Sequence, residues 1–94
     1  MSHFCYVIHS SKMDRYYIGQ TDDFTTRLEM HNSGFSPFTS MANDWVLFLL
    51  ITCPEKSIAA KIERHIKSMK SKSYIENLAR YPEMVTKLIA RFAA

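Results

Sequence analysis

Tyr6 and Tyr17 stand eleven residues apart, each inside a short run of strand-forming residues, and are followed by Arg27, His31 and, much later, Glu63 in a basic segment. Side chains of these types in this order could cleave a phosphodiester. A phenol or an imidazole can take a proton, and a guanidinium can neutralise charge on phosphate oxygens. A lone carboxylate can hold a hard divalent cation that keeps its other positions for water and phosphate. Each residue also has a plain structural role. Tyrosines in strands pack, Arg27 can be a solvated helix residue, His31 can face a helix C-terminus, and Glu63 can pair with Lys67 four residues on. Their occurrence together and in order is what points to chemistry.

Positioning these groups requires a scaffold, and the sequence outlines one. Cys5-Tyr6-Val7-Ile8 and Tyr16-Tyr17-Ile18 are strand formers separated by the polar stretch Ser10 to Asp14, which reads as a β-hairpin. Its register decides whether Tyr6 and Tyr17 share a face. Thr21-Asp22-Asp23 supplies N-cap chemistry for a helix from about Asp23 to Asn32, closed by Gly34. Within it Arg27 and His31 are four residues apart, hence roughly 40° apart around the axis, on the edge of a stripe marked by Phe24 and Leu28. Ser33 to Asn43, with Gly34 and Pro37, reads as a surface loop. Trp45 to Ile51 is apolar without alternation, which predicts a third strand covered on both faces, or at least well buried, rather than a half-wet edge.

After Pro54-Glu55, the residues Ile58, Ile62, Ile66 and Met69 recur at helical spacing, so a long amphipathic helix follows with Glu63 one step from its apolar stripe. Ser73 to Arg80 can form a short helix that stops before Tyr81-Pro82. Pro82 suits a first helical position, and Val85, Leu88, Ile89 and Phe92 mark a closing helix. The expected fold class is α/β of the α+β kind, a small three-stranded antiparallel sheet flanked by helices in the order β-β-α-β-α-α. One domain, 1–94, is expected, with its core over 4–72 and a helical tail over 73–94.

Composition narrows the function classes. In 94 residues, apolar side chains make up 47% and charged ones 22%, as in ordinary globular domains, which argues against a disordered or fibrous chain. The run from Trp45 to Ile51 is far too short to span a membrane, and the first residues lack the pattern of a signal peptide, so a cytoplasmic protein is expected. Cys5 and Cys53 are too few for a disulfide scaffold and match no zinc-ligand spacing; reduced, packed thiols are expected. The net charge is only +3, yet six of the twelve Lys and Arg residues lie between Lys56 and Lys72. Such a local basic stripe suits a polyanion.

These residues resemble the GIY-YIG nuclease domain. Tyr6 corresponds to the tyrosine of the first motif, Tyr17-Ile18-Gly19 to the second motif, Arg27 to the arginine ten residues further, His31 to the histidine or tyrosine one turn on, and Glu63 to the metal-binding glutamate. The resemblance runs from about Phe4 to Lys72 and is nearest to the small stand-alone bacterial members related to the N-terminal nuclease domain of UvrC. The first motif here reads Phe4-Cys5-Tyr6, without glycine or isoleucine. Asn77 is the one candidate for a late asparagine found in many members, at a different spacing. The loop from Phe35 to Asp44 has no Lys or Arg, where related small proteins often carry basic residues.

The resemblance implies a metal-dependent endonuclease that hydrolyses DNA phosphodiesters, with RNA also open as a substrate, and a place in DNA repair or recombination. Tyr6, Tyr17, Arg27, His31 and Glu63 would form the catalytic set. One Mg²⁺ or Mn²⁺ would sit at Glu63, Arg27 would stabilise phosphoryl charge, and Tyr6 would act as general base with help from the metal field, Arg27, or a hydrogen bond to His31 or Tyr17. Gly19 would permit close packing beside the site, and Lys61, Arg64, Lys67, Lys70 and Lys72 would track phosphates. Two other readings compete. One is a nucleic-acid-binding module that has lost cleavage; the other is a protein-interaction domain that docks a partner or a second copy through the C-terminal helix.

Overall fold

A computed structural model describes residues 2–94 and contains, in order, β1 (His3–Ser10), β2 (Arg15–Thr21), α1 (Phe24–Asn32), β3 (Val46–Cys53), α2 (Lys56–Met69), α3 (Lys72–Arg80) and α4 (Pro82–Ala93). The three strands form one antiparallel sheet in the order β2-β1-β3. The α+β class and the antiparallel sheet are those read from the sequence. The order β-β-α-β-α-α counts the tail as one helix; it is two, α3 and α4, divided at Tyr81-Pro82 with Pro82 opening α4, as the tail residues indicate.

The hairpin register places Tyr6 opposite Gly19 and Ile8 opposite Tyr17. Side chains alternate along each strand, so Tyr6, Ile8 and Tyr17 share one face while Cys5, Val7 and Ile18 share the other. Each face carries its own core. Tyr6 and Ile8 pack with Ala42, Trp45, Phe24 and Leu28 under α1 and the loop that follows it. Cys5, Val7, Ile51 and Cys53 pack with Ile58, Ala59, Ile62 and Ile66 of α2 and with Ile75, Leu78 and Leu88 of α3 and α4. Cys5 and Cys53 are free, buried thiols. Their surroundings are apolar enough to push Cys5 up to about 12, chiefly through burial.

The third strand departs from its expected environment. It lies at an edge of the sheet, and Val46, Leu47 and Leu50 are exposed, so it is not covered on both faces. Its apolar run is continuous for a different reason. The register slips between Val7 and Ile8, leaving Phe48 as an extra residue between Leu47 and Leu49, and Phe48 and Leu49 both pack on the α2 side. A bulge breaks the alternation that a half-buried strand otherwise shows.

Two ties fix α1 and its loop against the sheet. Asp23 caps α1 by accepting from the Thr26 backbone N–H at 3.2 Å. At the other end, the Asn32 side chain donates to the Trp45 carbonyl at 3.0 Å and accepts from its N–H at 2.8 Å. Gly34 sits at φ +87° just past the helix, a backbone angle that favours glycine. The intervening segment is less of a surface loop than its composition suggests. Thr39 and Ala42 are buried within it, and the Trp45 indole N–H donates to the Thr39 carbonyl at 3.0 Å.

Candidate active site

Tyr6 is the centre of the site because it lies on the middle strand and faces α1. Its ring extends over Gly19 on the neighbouring strand. A β-carbon at Gly19 would stand 2.5 Å from the Tyr6 hydroxyl oxygen and 2.6 Å from Cζ, so position 19 is glycine to leave that space free rather than for its backbone angle. Tyr17 flanks the ring at a centroid distance of 6.4 Å, and Phe24 packs against it at 5.4 Å.

From α1, Arg27 and His31 converge on the Tyr6 hydroxyl, as their four-residue spacing allows. Arg27 Nε–H donates to that oxygen at 3.4 Å, and the hydroxyl lies 2.7 Å from His31 Nε2. On the far side of the ring, His31 Nδ1 is 2.8 Å from the Thr39 hydroxyl oxygen, which is 3.4 Å from the Ser36 carbonyl. One proton arrangement satisfies the whole chain. Arg27 donates to Tyr6, Tyr6 to Nε2, Nδ1–H to Thr39 and Thr39 to Ser36. In this arrangement His31 is neutral and accepts from Tyr6.

Burial and charge both act on this row. His31 is fully buried, and burial, reinforced by the Arg27 charge, pushes its pKa down to about 4. Tyr6 is pushed up to about 12 by burial, with Arg27 acting in the opposite direction and Tyr17 and Glu63 adding to the rise. Glu63, the smallest of these influences, belongs to a helix on the other side of the sheet. Lys67 Nζ is 2.6 Å from Glu63 Oε2 and stands 6.0 Å over the Tyr17 ring.

The five basic residues expected to track phosphates divide among three places. Lys67 is beside Glu63 and Tyr17. Lys70 and Lys72 line a groove with Asp14 and Arg15, where Lys72 Nζ donates to the Asp14 carbonyl at 2.9 Å. Lys61 and Arg64 occupy the opposite flank of α2, where they line a groove with Arg91 and Phe92 of α4. Asn77 lies on α3, the helix whose C-terminal N–H it accepts from. Thr39 is the site residue the sequence did not flag. A threonine in a polar loop carries no pattern, and only the burial of its neighbours brings it against His31.

The Tyr6 hydroxyl is thus held between a guanidinium, which can meet negative charge, and an imidazole, which can accept a proton. The model of the GIY-YIG catalytic domain matches residues 2–77. The chain belongs to the GIY-YIG family. The GIY-YIG match ends within α3, so α4 lies beyond it. Comparison with curated proteins and with solved structures returned no match. GIY-YIG proteins are a nuclease family whose members act on DNA. No helix among the described residues is long and apolar enough to cross a membrane.

Proposed function

We propose that this GIY-YIG domain is an endonuclease that hydrolyses DNA phosphodiesters with one Mg²⁺ or Mn²⁺ at Glu63. The observation that carries this reading is the Tyr6 hydroxyl held between Arg27 and His31. The phenol has an acceptor on one side and a cation on the other, so it is oriented before any substrate arrives.

In the reaction, the attacking water gives its proton to the Tyr6 oxygen as Tyr6 passes its own proton to His31 Nε2. Tyr6 then never has to exist as a free phenolate, which its high pKa would disfavour. A phosphate anion bound at Arg27 offsets the cationic field that, with burial, holds His31 near 4, and so makes the imidazole a better acceptor. Arg27 also meets the charge that grows on the transferring phosphoryl oxygens. Tyr17 packs edge-on against the His31 ring at 4.7 Å and keeps its plane fixed.

The donor chemistry fits a substrate-assisted cation. Among the described residues no group of three or more His, Cys, Asp and Glu gathers, so the chain offers no closed cage. Glu63 supplies one hard carboxylate ligand, and water and substrate phosphate suit the other positions of Mg²⁺. When bound, such a cation supplies charge neutralisation at the phosphate and at the leaving oxygen. Lys67 would then have to release Glu63 Oε2, an exchange of one cation for another.

That ion pair also favours a second reading, a module that binds nucleic acid and does not cut, because Glu63 already has its counter-charge. A panel of labelled linear, branched and supercoiled DNA with Mg²⁺, Mn²⁺ or chelator separates the two. Metal-dependent product from wild type, with a loss of about 10²–10⁴-fold in Tyr6→Phe, is expected for the enzyme. Absence of product from every substrate supports the binding module. The resemblance to the nuclease domain of UvrC supports a role in DNA repair or recombination.

A further inference from the structure

Three large apolar side chains stand in solvent within one short loop beside this site. Phe38 is 82% exposed, Phe35 75% and Met41 73%. Single exposed apolar residues are ordinary on protein surfaces, whereas a cluster beside a cavity marks a binding surface. Phe38 overhangs the β2 edge and lines two adjoining depressions of about 340 and 290 Å³, each shared with Tyr16 and Tyr17. Met41 and Trp45 complete the wall of the smaller one. Volumes near 300 Å³ are at the small-molecule end of ligand sites and accept a ring-sized group.

Charge and position identify the group. Lys67 lines one depression and Arg15 the other, so each apolar surface has a cation at its rim. Tyr17 is the wall they share with the catalytic row, packed on its inner side against His31 at 4.7 Å and near Tyr6 at 6.4 Å. An aromatic surface rimmed by cations and one ring away from a phosphodiester-cleaving centre matches a nucleobase on its own backbone. A base stacked inside a duplex has no face to give to Phe38. An unpaired base has one.

We propose that Phe38, with Tyr17 and Met41, is a stacking platform for an unpaired nucleobase next to the scissile phosphate. The substrate class is then single-stranded or locally unpaired DNA, such as a flap or a splayed junction. The position of the cut rests on the nuclease reading above; the stacking does not. Because the loop carries no Lys or Arg of its own, its part in binding comes from ring contact rather than charge.

Equilibrium binding in chelator tests this without any cleavage. Wild type and Phe38→Ala are titrated against a labelled ten-residue thymidine oligonucleotide and against an abasic strand of equal length, at one fixed salt concentration. The expected result is a loss of about tenfold for Phe38→Ala on the thymidine strand and none on the abasic strand, in keeping with base–aromatic stacking. Phe38→Trp should restore the affinity, and its new tryptophan emission should be quenched by the thymidine strand. Equal affinities of wild type and Phe38→Ala for the thymidine strand would overturn the platform. So would equal losses on both strands, or a wild-type dimer in sedimentation that Phe38→Ala dissolves. A missing nuclease activity appears separately, as absence of product with Mg²⁺, and leaves the binding comparison readable.

Discussion

At the scale of single residues, the site depends on one space and one protonation state. Gly19→Ala puts a methyl group into the volume of the Tyr6 ring, and a ring that moves away loses Arg27 and His31 together. Cleavage should fall at least about 10²-fold, as for a displaced general base, while a thermal melt shows a folded protein; a fully active Gly19→Ala would show that the Tyr6 position is not needed. His31 gives the pH dependence. Its pKa is about 4 in the folded chain and near the ordinary 6.5 when unfolded, so between these values the unfolded chain binds more protons. Stability is therefore full above about pH 6.5 and falls as the pH drops toward 4, by up to about 3 kcal/mol. Urea midpoints across pH 4–7 should show this slope in wild type and lose most of it in His31→Gln. Arg27 and His31 were legible as a pair because their helical spacing points both at one border of the core, whereas the meeting with Tyr6 depends on a strand register the sequence leaves open. Thr39 was not legible, because its contact with His31 depends on how the loop folds under Trp45.

At the scale of elements, the hairpin and α1 were readable from strand formers, N-cap chemistry and Gly34, whereas β3 was misplaced. A bulged edge strand and a doubly covered strand both give an unbroken apolar run, and no local residue distinguishes Phe48 as the extra one. The distinction has a measurable consequence. Leu47→Ser, at an exposed edge position, should cost less than about 1 kcal/mol, and Ile62→Ala, wholly buried under α2, about 2–5 kcal/mol in chemical unfolding. Equal costs would mean that β3 is covered after all. The amphipathic stripe of α2 was equally plain in sequence, but which flank meets the site depends on how the helix lies on the sheet. Glu63 and Lys67 turn toward Tyr17, and Lys61 and Arg64 turn toward α4.

At the scale of the whole molecule, the proposed catalytic groups come from both sides of one sheet, and the Glu63–Lys67 pair reaches Tyr17 at its β2 edge. Tyr6, Arg27 and His31 belong to the layer under α1; Glu63 belongs to the layer of α2, α3 and α4. The second layer therefore positions the carboxylate. Leu88 of α4 is buried against this core although α4 lies beyond the family match, so Leu88→Ala should destabilise the domain by about 2–5 kcal/mol and raise the cation concentration needed for cleavage. The most direct measurement compares wild type with Glu63→Gln for both DNA binding and Mg²⁺-dependent cleavage in the same preparation. Glu63→Gln should bind DNA within about threefold of wild type and lose at least about 10²-fold in cleavage rate, since a neutral amide replaces the hard anionic ligand. Undiminished cleavage by Glu63→Gln would contradict a cation-assisted centre built across the sheet edge.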